Sequence, residues 1–248
     1  MYKSKILYLL LLSFFLIPQI ITAKPTQIIV ATESWEPFRI HDDNNYRGID
    51  FDLWKEIEKR LNLDIKFIRY PWARILHNLK SGNVDAMSGL AKRKNREVYM
   101  HYTSPSYYTC STVFYVQKGN KHLIKKYEDL YKYSIAYVNN SAYFKRFDED
   151  TKLNKFPITS EIQLIRMLER GRVKVIIGTD CQADYEIKKL GFKDKFEKAL
   201  FKPKNSVDLY IAISKKSAFA KELNQVNEVI KQIVEEGKIK EYSKKYFE

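Results

Sequence analysis

Residues Asn83–Tyr108 read NVDAMSGLAKRKNREVYMHYTSPSYY. Val84, Ala86 and Met87 form a short apolar run of strand character that opens at Ser88 and Gly89. Small residues at a strand end leave backbone N–H groups open to an approaching ligand. A basic turn follows, Lys92-Arg93-Lys94-Asn95-Arg96, and then an aromatic segment ending in Ser104-Pro105-Ser106-Tyr107-Tyr108. An arginine placed a few residues beyond such a strand can grip a carboxylate through two parallel hydrogen bonds. The plain alternative is a solvated basic loop, and the surrounding chain has to choose between them.

Outward from this stretch, the chain of 248 residues suits one large α/β domain or two small lobes. Residues 1–23 stand apart: Lys3 and Lys5 precede an apolar run from Ile6 to Ile21, and Ile21-Thr22-Ala23 offers a cleavage site. This is the layout of a secretory signal peptide, which predicts a mature chain free in the periplasm or secreted. The net charge of +14 is spread along helix-like stretches among acids and carries no nucleic-acid-binding motif, so it reads as solvated surface. The four histidines are scattered, without metal-ligand spacing, and no cofactor is implied. Cys110 and Cys181 could pair in an oxidising compartment, where a bond would restrict motion between lobes, or remain free thiols.

Strand and helix patterns alternate along the rest of the chain. Gln27–Thr32 reads as a buried strand stopped at Glu33-Ser34-Trp35-Glu36-Pro37-Phe38, where Pro37 fixes a turn. Open α/β sheets bind ligands at strand carboxyl ends, which favours ligand contact for Trp35 over a rim aromatic. Asp50 is placed to cap a helix whose Leu53, Trp54, Ile57 and Leu61 share a face. Asp64–Tyr70 is a second strand, and Pro71-Trp72 opens a helix that closes at Gly82. Thr112–Gln117 alternates as a strand, and strand–helix alternation resumes from Ser134. Ser141 stands between a strand and a helix predicted from Ala142, as a cap, an anion-binding hydroxyl or both. Gly178-Thr179-Asp180-Cys181 ends another strand, with Asp180 either an N-cap or a ligand contact. Asp208–Ser214 is a last strand before a helix spaced by Phe219, Leu223, Val226, Ile230 and Ile233, and Gly237 breaks that helix.

The quoted stretch, the Trp35-Glu36-Pro37-Phe38 loop, Gly48-Ile49-Asp50-Phe51-Asp52-Leu53 and the Gly237–Tyr246 ending together resemble bacterial extracellular solute-binding proteins of family 3, the amino-acid-type receptors of ABC transporters. The resemblance implies a two-lobed α/β fold of the type II periplasmic binding protein kind, with two crossing segments as hinge. Residues 24–112 with 207–248 would form a discontinuous first lobe and 117–203 the second. It further implies Arg96 as carboxylate anchor, Gly89 and Ala91 as backbone contacts, Trp35 and Trp72 as an aromatic clamp, with core packing the competing reading of Trp72, and Ser141 and Asp180 as contacts from the second lobe. Counting back from Ala183 points to Thr179 in place of Asp180. Where the family pattern has threonine three residues before the anchor stands Arg93, the place of Ala91 often holds a hydroxyl, and the usual acid at the first strand end is Thr32, with Glu33 beside it. Extra positive charge from Arg74 and Arg93 would suit a more acidic ligand. The implied protein is a monomer that delivers a small ligand to a membrane ABC permease. Rival readings on the same fold are a dehydratase of cyclic carboxylates, with Glu33 as general acid, and a sensor acting in trans.

Overall fold

The computed structural model describes residues 26–42 and 45–247; the signal peptide expected over residues 1–23 lies outside them. In the first half of the chain, β1 (Thr26–Thr32) leads to a small hairpin, β2 (Ile40–Asp42) and β3 (Asn45–Arg47), then α1 (Ile49–Leu61), β4 (Leu63–Arg69), α2 (Trp72–Ser81), β5 (Ala86–Leu90), a single turn α3 (Lys94–Glu97) and β6 (Met100–Tyr102). The ten-residue β7 (Tyr108–Gln117) carries the chain onward. There follow β8 (Ile135–Val138), α4 (Lys145–Glu149), β9 (Lys155–Ile158), α5 (Glu161–Glu169), β10 (Val175–Thr179), α6 (Asp180–Lys189) and β11 (Phe196–Lys198). The chain then returns along β12 (Ser206–Ser214) and ends in α7 (Leu223–Glu235) and α8 (Lys238–Phe247).

The strands run in the order β4-β1-β5-β12-β7-β10-β8-β9. This order contains two matching halves. In one, β4, β1 and β5 are parallel and β12 closes them antiparallel. In the other, β9, β8 and β10 are parallel and β7 closes them antiparallel. The two closing strands pair with each other over Ser206–Leu209 and Tyr108–Ser111. Each therefore serves one half along part of its length and the junction along the rest, which is what two crossing segments require. The crossing expected at Thr112–Gln117 is the far portion of this longer strand.

Helices cover the sheet because their apolar residues recur on one face. In α1, Ile49, Leu53, Trp54 and Ile57 are buried, and Asn62 ends the helix in the left-handed conformation at φ 50°. In α7, Val226, Val229, Ile230 and Ile233 are buried, each contributing about 1.5–3 kcal/mol of transfer free energy. They join a cluster with Ile28, Val30 and Ile211, whereas Phe114, Ile135, Val175 and Ile177 pack in a separate one.

Three local expectations are corrected. Asp50 does not cap α1: Gly48 holds that position without a side-chain bond, and the Asp50 carboxylate is buried in an ion pair. The helix expected from Ala142 begins at Lys145 with Phe144 as its cap residue, so Ser141 is a loop residue and not a cap. Thr179, not Asp180, is the cap residue of α6. Cys110 and Cys181 form a disulfide that joins β7 to the first turn of α6.

Candidate functional site

A cavity of about 140 Å³ lies between the two halves. Its floor on one side is the carboxyl end of β1 and β5; on the other it is the loop after β8 and the first turns of α5 and α6. Of the residues expected at a site, Trp35, Trp72, Gly89, Ala91, Arg96 and Ser141 all line it. Asp180 does not. Its carboxylate turns away and accepts a hydrogen bond from the Ser111 backbone N–H at 2.8 Å, while Thr179 takes the cavity-lining place. The N1 side chain of a helix points back along its own axis, and here it finds a strand amide first. Arg74 and Arg93 are also absent from the lining; the expected surplus of positive charge does not reach the cavity.

Two buried guanidiniums stand in the first-lobe wall, and their partners separate their roles. Arg39 is paired with Asp50 at 2.5 Å and donates to the Ser88 carbonyl at 2.9 Å. Ser88 Oγ and Tyr107 Oη donate to the same carboxylate. This charge is neutralised within the protein, and removing either partner would strand the other at a cost on the order of 3–5 kcal/mol. Gly89 is required beside it: its φ is +81°, and a Cβ would fall 2.4 Å from Arg39 Nη1.

Arg96 differs. It is only 4 % exposed, lies over the Trp72 ring at 5.3 Å, and donates to two carbonyls, Ala91 O at 3.4 Å and Asn140 O across the cleft. No carboxylate among the described residues pairs with it, and burial holds its pKa below the ordinary arginine value. Carbonyl dipoles compensate a buried cation only in part.

The acidic side of the cavity was mostly hidden in the sequence. Glu33 is half-buried in the lining, and burial pushes its carboxyl up to about 7 against the pull of Arg39. Glu161, at the start of α5, lines the opposite wall. Gln182 lines it too and accepts a hydrogen bond from Trp35 Nε1 across the cleft. With Lys189–Glu36 at 2.5 Å and Arg96–Asn140, this contact holds the two halves together around the cavity. Arg39, Glu161 and Gln182 were not singled out from sequence. An acid after a capping serine is common on solvated helices, and a glutamine inside an amphipathic helix carries no signal.

Two lobes joined by two crossing strands, closed on a polar interlobe cavity, define a solute-binding protein. The chain belongs to the bacterial extracellular solute-binding proteins, family 3, whose family model matches residues 28–248. It is 26 % identical over 223 residues to the L-cystine-binding protein TcyA of Bacillus subtilis, covering 89 % of this chain and 81 % of that protein. Among solved structures it resembles an ancestral arginine-binding protein bound to arginine, with a TM-score of 0.77 and 22 % identity over 91 % of this chain and 100 % of the other. It also resembles the ancestral amino acid-binding protein AncCDT-1, a precursor of cyclohexadienyl dehydratase, with a TM-score of 0.74 and 24 % identity over 90 % and 96 % of the two chains. Among the described residues no helix is long and apolar enough to cross a membrane.

Proposed function

We propose that this protein is an exported receptor that captures a small amino-acid-type ligand by its carboxylate and presents it, in the closed form, to a membrane ABC permease. The observation that carries this reading is Arg96, a buried guanidinium in the cavity wall that pairs with no carboxylate among the described residues. A ligand carboxylate supplies the missing charge and accepts two hydrogen bonds in the plane of the guanidinium. Trp35 and Trp72 flank the ligand body, Gly89 and Ala91 offer backbone contacts, and Ser141 and Thr179 contribute from the second lobe. The lobes, 24–112 with 207–248 and 117–203, turn about the paired portions of β7 and β12. Relatives named for binding L-cystine and arginine support an amino-acid ligand.

The test is a thermal-shift screen over amino acids and small organic acids, followed by calorimetry on the hits. A ligand present at a hundred times its dissociation constant adds roughly 2.7 kcal/mol to the stability of the folded state. Arg96→Ala is expected to weaken binding at least tenfold with the circular dichroism spectrum unchanged; undiminished affinity removes Arg96 from the site. A second reading, acid catalysis on a cyclic carboxylate, draws on the Glu33 carboxyl held near neutrality at the cavity. Recovery of the bound compound unchanged after long incubation decides for binding, and product formation decides for catalysis.

A further inference from the structure

The charge of the second lobe is unevenly placed. Residues 117–203 hold 19 lysines and arginines against 12 acids. Thr179, at the carboxyl end of β10, and Glu161, at the start of α5, line the cavity. The opposite end of the lobe is assembled where β10 begins, β7 ends and β11 begins, because β7 runs antiparallel to both. There the Lys118 N–H donates to the Lys195 carbonyl at 2.8 Å. Gln117 Nε2 donates to the Leu168 carbonyl at 3.0 Å, which holds the last turn of α5 against the same edge. The Arg172 N–H bonds the Met167 carbonyl at 2.9 Å. These bonds gather Lys118, Arg170, Arg172, Lys174 and Lys195, all exposed, at one pole. Lys195 is paired with Glu169 at 2.8 Å, and none of the other four is in an ion pair among the described residues. A cation at a helix C-terminus opposes the helix dipole, which accounts for Arg170 but not for the other three.

We infer that this pole is a docking surface for an anionic lipid membrane. A protein partner would need a buried apolar or aromatic anchor at the centre of its interface. None of the exposed large apolar side chains among the described residues falls in 117–119, 168–174 or 193–195. Lipid phosphates ask for the reverse, several unpaired cations on long side chains and no apolar anchor. Each lysine or arginine held near such a surface raises binding about fivefold, so four acting together are enough for reversible, salt-sensitive attachment. The five residues of β10 separate the pole from Thr179 by about 15 Å, which is beyond a Debye length at physiological salt. Headgroups at the pole therefore leave the ligand cavity undisturbed. The surface itself needs neither Arg96 nor a ligand. Its use rests on the exported-receptor reading: a receptor held on the membrane searches for its permease in two dimensions instead of three.

The experiment is co-sedimentation of the full mature chain with vesicles of phosphatidylcholine alone, or of phosphatidylcholine mixed equally with phosphatidylglycerol, at roughly 20, 150 and 500 mM NaCl. Two variants each remove four positive charges. One carries Lys118→Gln, Arg170→Gln, Arg172→Gln and Lys174→Gln at the pole. The other carries Lys80→Gln, Lys221→Gln, Lys231→Gln and Lys240→Gln, all exposed and all outside residues 117–203. Thermal midpoints confirm that both fold, and the two have equal net charge. The expected result is binding of wild type to the mixed vesicles at low and physiological salt, little binding to the neutral ones, and a steep fall at high salt. The pole variant is expected to lose about tenfold or more and the other variant less than about threefold. Should the four pole substitutions together prevent folding, Lys118→Gln with Lys174→Gln is expected to lose at least about fivefold. Equal binding to neutral and mixed vesicles overturns the inference, as does no binding to either. An equal loss in both four-site variants also overturns it, since net charge and not the pole would then hold the membrane. Thermal shifts with amino acids keep the two readings apart. If no compound shifts wild type, the receptor reading fails and the surface stands; if the shifts are normal and vesicles are ignored, the surface falls alone.

Discussion

Arg39 and Arg96 are the same residue type, in the same wall, at nearly the same depth, and differ only in what faces them. Arg39 meets Asp50, Ser88 and Tyr107 in a closed network, so its charge contributes structure. Arg96 meets carbonyls and an open cavity, so its charge is available. The acids follow the same logic and leave a pH signature. Burial pushes the Glu33 and Glu161 carboxyls up to about 7 and about 8, well above the ordinary glutamate value of about 4.5. The native state then holds more protons than the unfolded chain between about 4.5 and 8, so these groups cost stability as pH rises through that window. His41, lowered to about 4 by burial, acts in the opposite sense: it costs stability as pH falls below 6.5. The expected outcome is that ligand-free Glu161→Gln gains stability over wild type progressively from pH 5 to pH 9, by urea unfolding at each pH. A difference independent of pH would show that Glu161 titrates normally. That Arg96 lines the cavity was legible because the stretch around it resembles a family segment that carries an arginine just past a strand end. Glu161 was not, because its burial depends on Gly178, a residue of another element.

At the scale of elements, periodicity placed most strands and the long helices well and missed several of the shortest elements. Hairpin β2–β3, strands β6 and β11 and the single turn α3 are four residues or fewer, too brief for a period of 2 or 3.6 to register. The junction of β7 with α6 is where element geometry bears on function. The disulfide fixes the first turn of α6, which carries Thr179 beside it and Gln182, to the crossing strand. Cys110 and Cys181 share an apolar cluster with Val207 and Leu209 of β12. The bond therefore sits at the crossing itself and not across the mouth of the cleft, where it would lock the lobes. Its sequence separation is 71 residues, for which chain entropy assigns about 4 kcal/mol. Replacing both cysteines by serine is expected to lower urea-derived stability by about 2–4 kcal/mol and to weaken ligand binding through a looser Gln182. An unfolding midpoint equal to that of wild type would mean that the loop is already constrained without the bond.

For the whole molecule, closure rests on few direct contacts: Trp35 with Gln182, Arg96 with Asn140, and Glu36 with Lys189. The last is a partly exposed pair at the rim, worth about 0–1 kcal/mol, so it tunes the closed state without enforcing it. A ligand that touches both walls adds differential affinity for that state and shifts the population toward it. Gln182→Ala is expected to enlarge the radius of gyration of the ligand-free protein in small-angle scattering, and saturating ligand is expected to restore compactness. If the variant and wild type give the same profile without ligand, the Trp35–Gln182 bond is not among the contacts that hold the lobes together.

By itself the sequence determined the two-lobed α/β class, the order of the main elements and that Arg96 belongs with the residues now found lining the cavity. Those depend on local periodicity, turn chemistry and motif spacing within a few tens of residues. Tertiary structure alone decided the charge of the cavity. Arg39 was withdrawn by Asp50, Asp180 was turned onto Ser111, Arg74 and Arg93 were left outside, and Glu161 was brought in against Gly178. The reason is that the electrostatic role of a side chain is set by what approaches it and how little water remains. Here the approaching groups come from strands and helices far away along the chain.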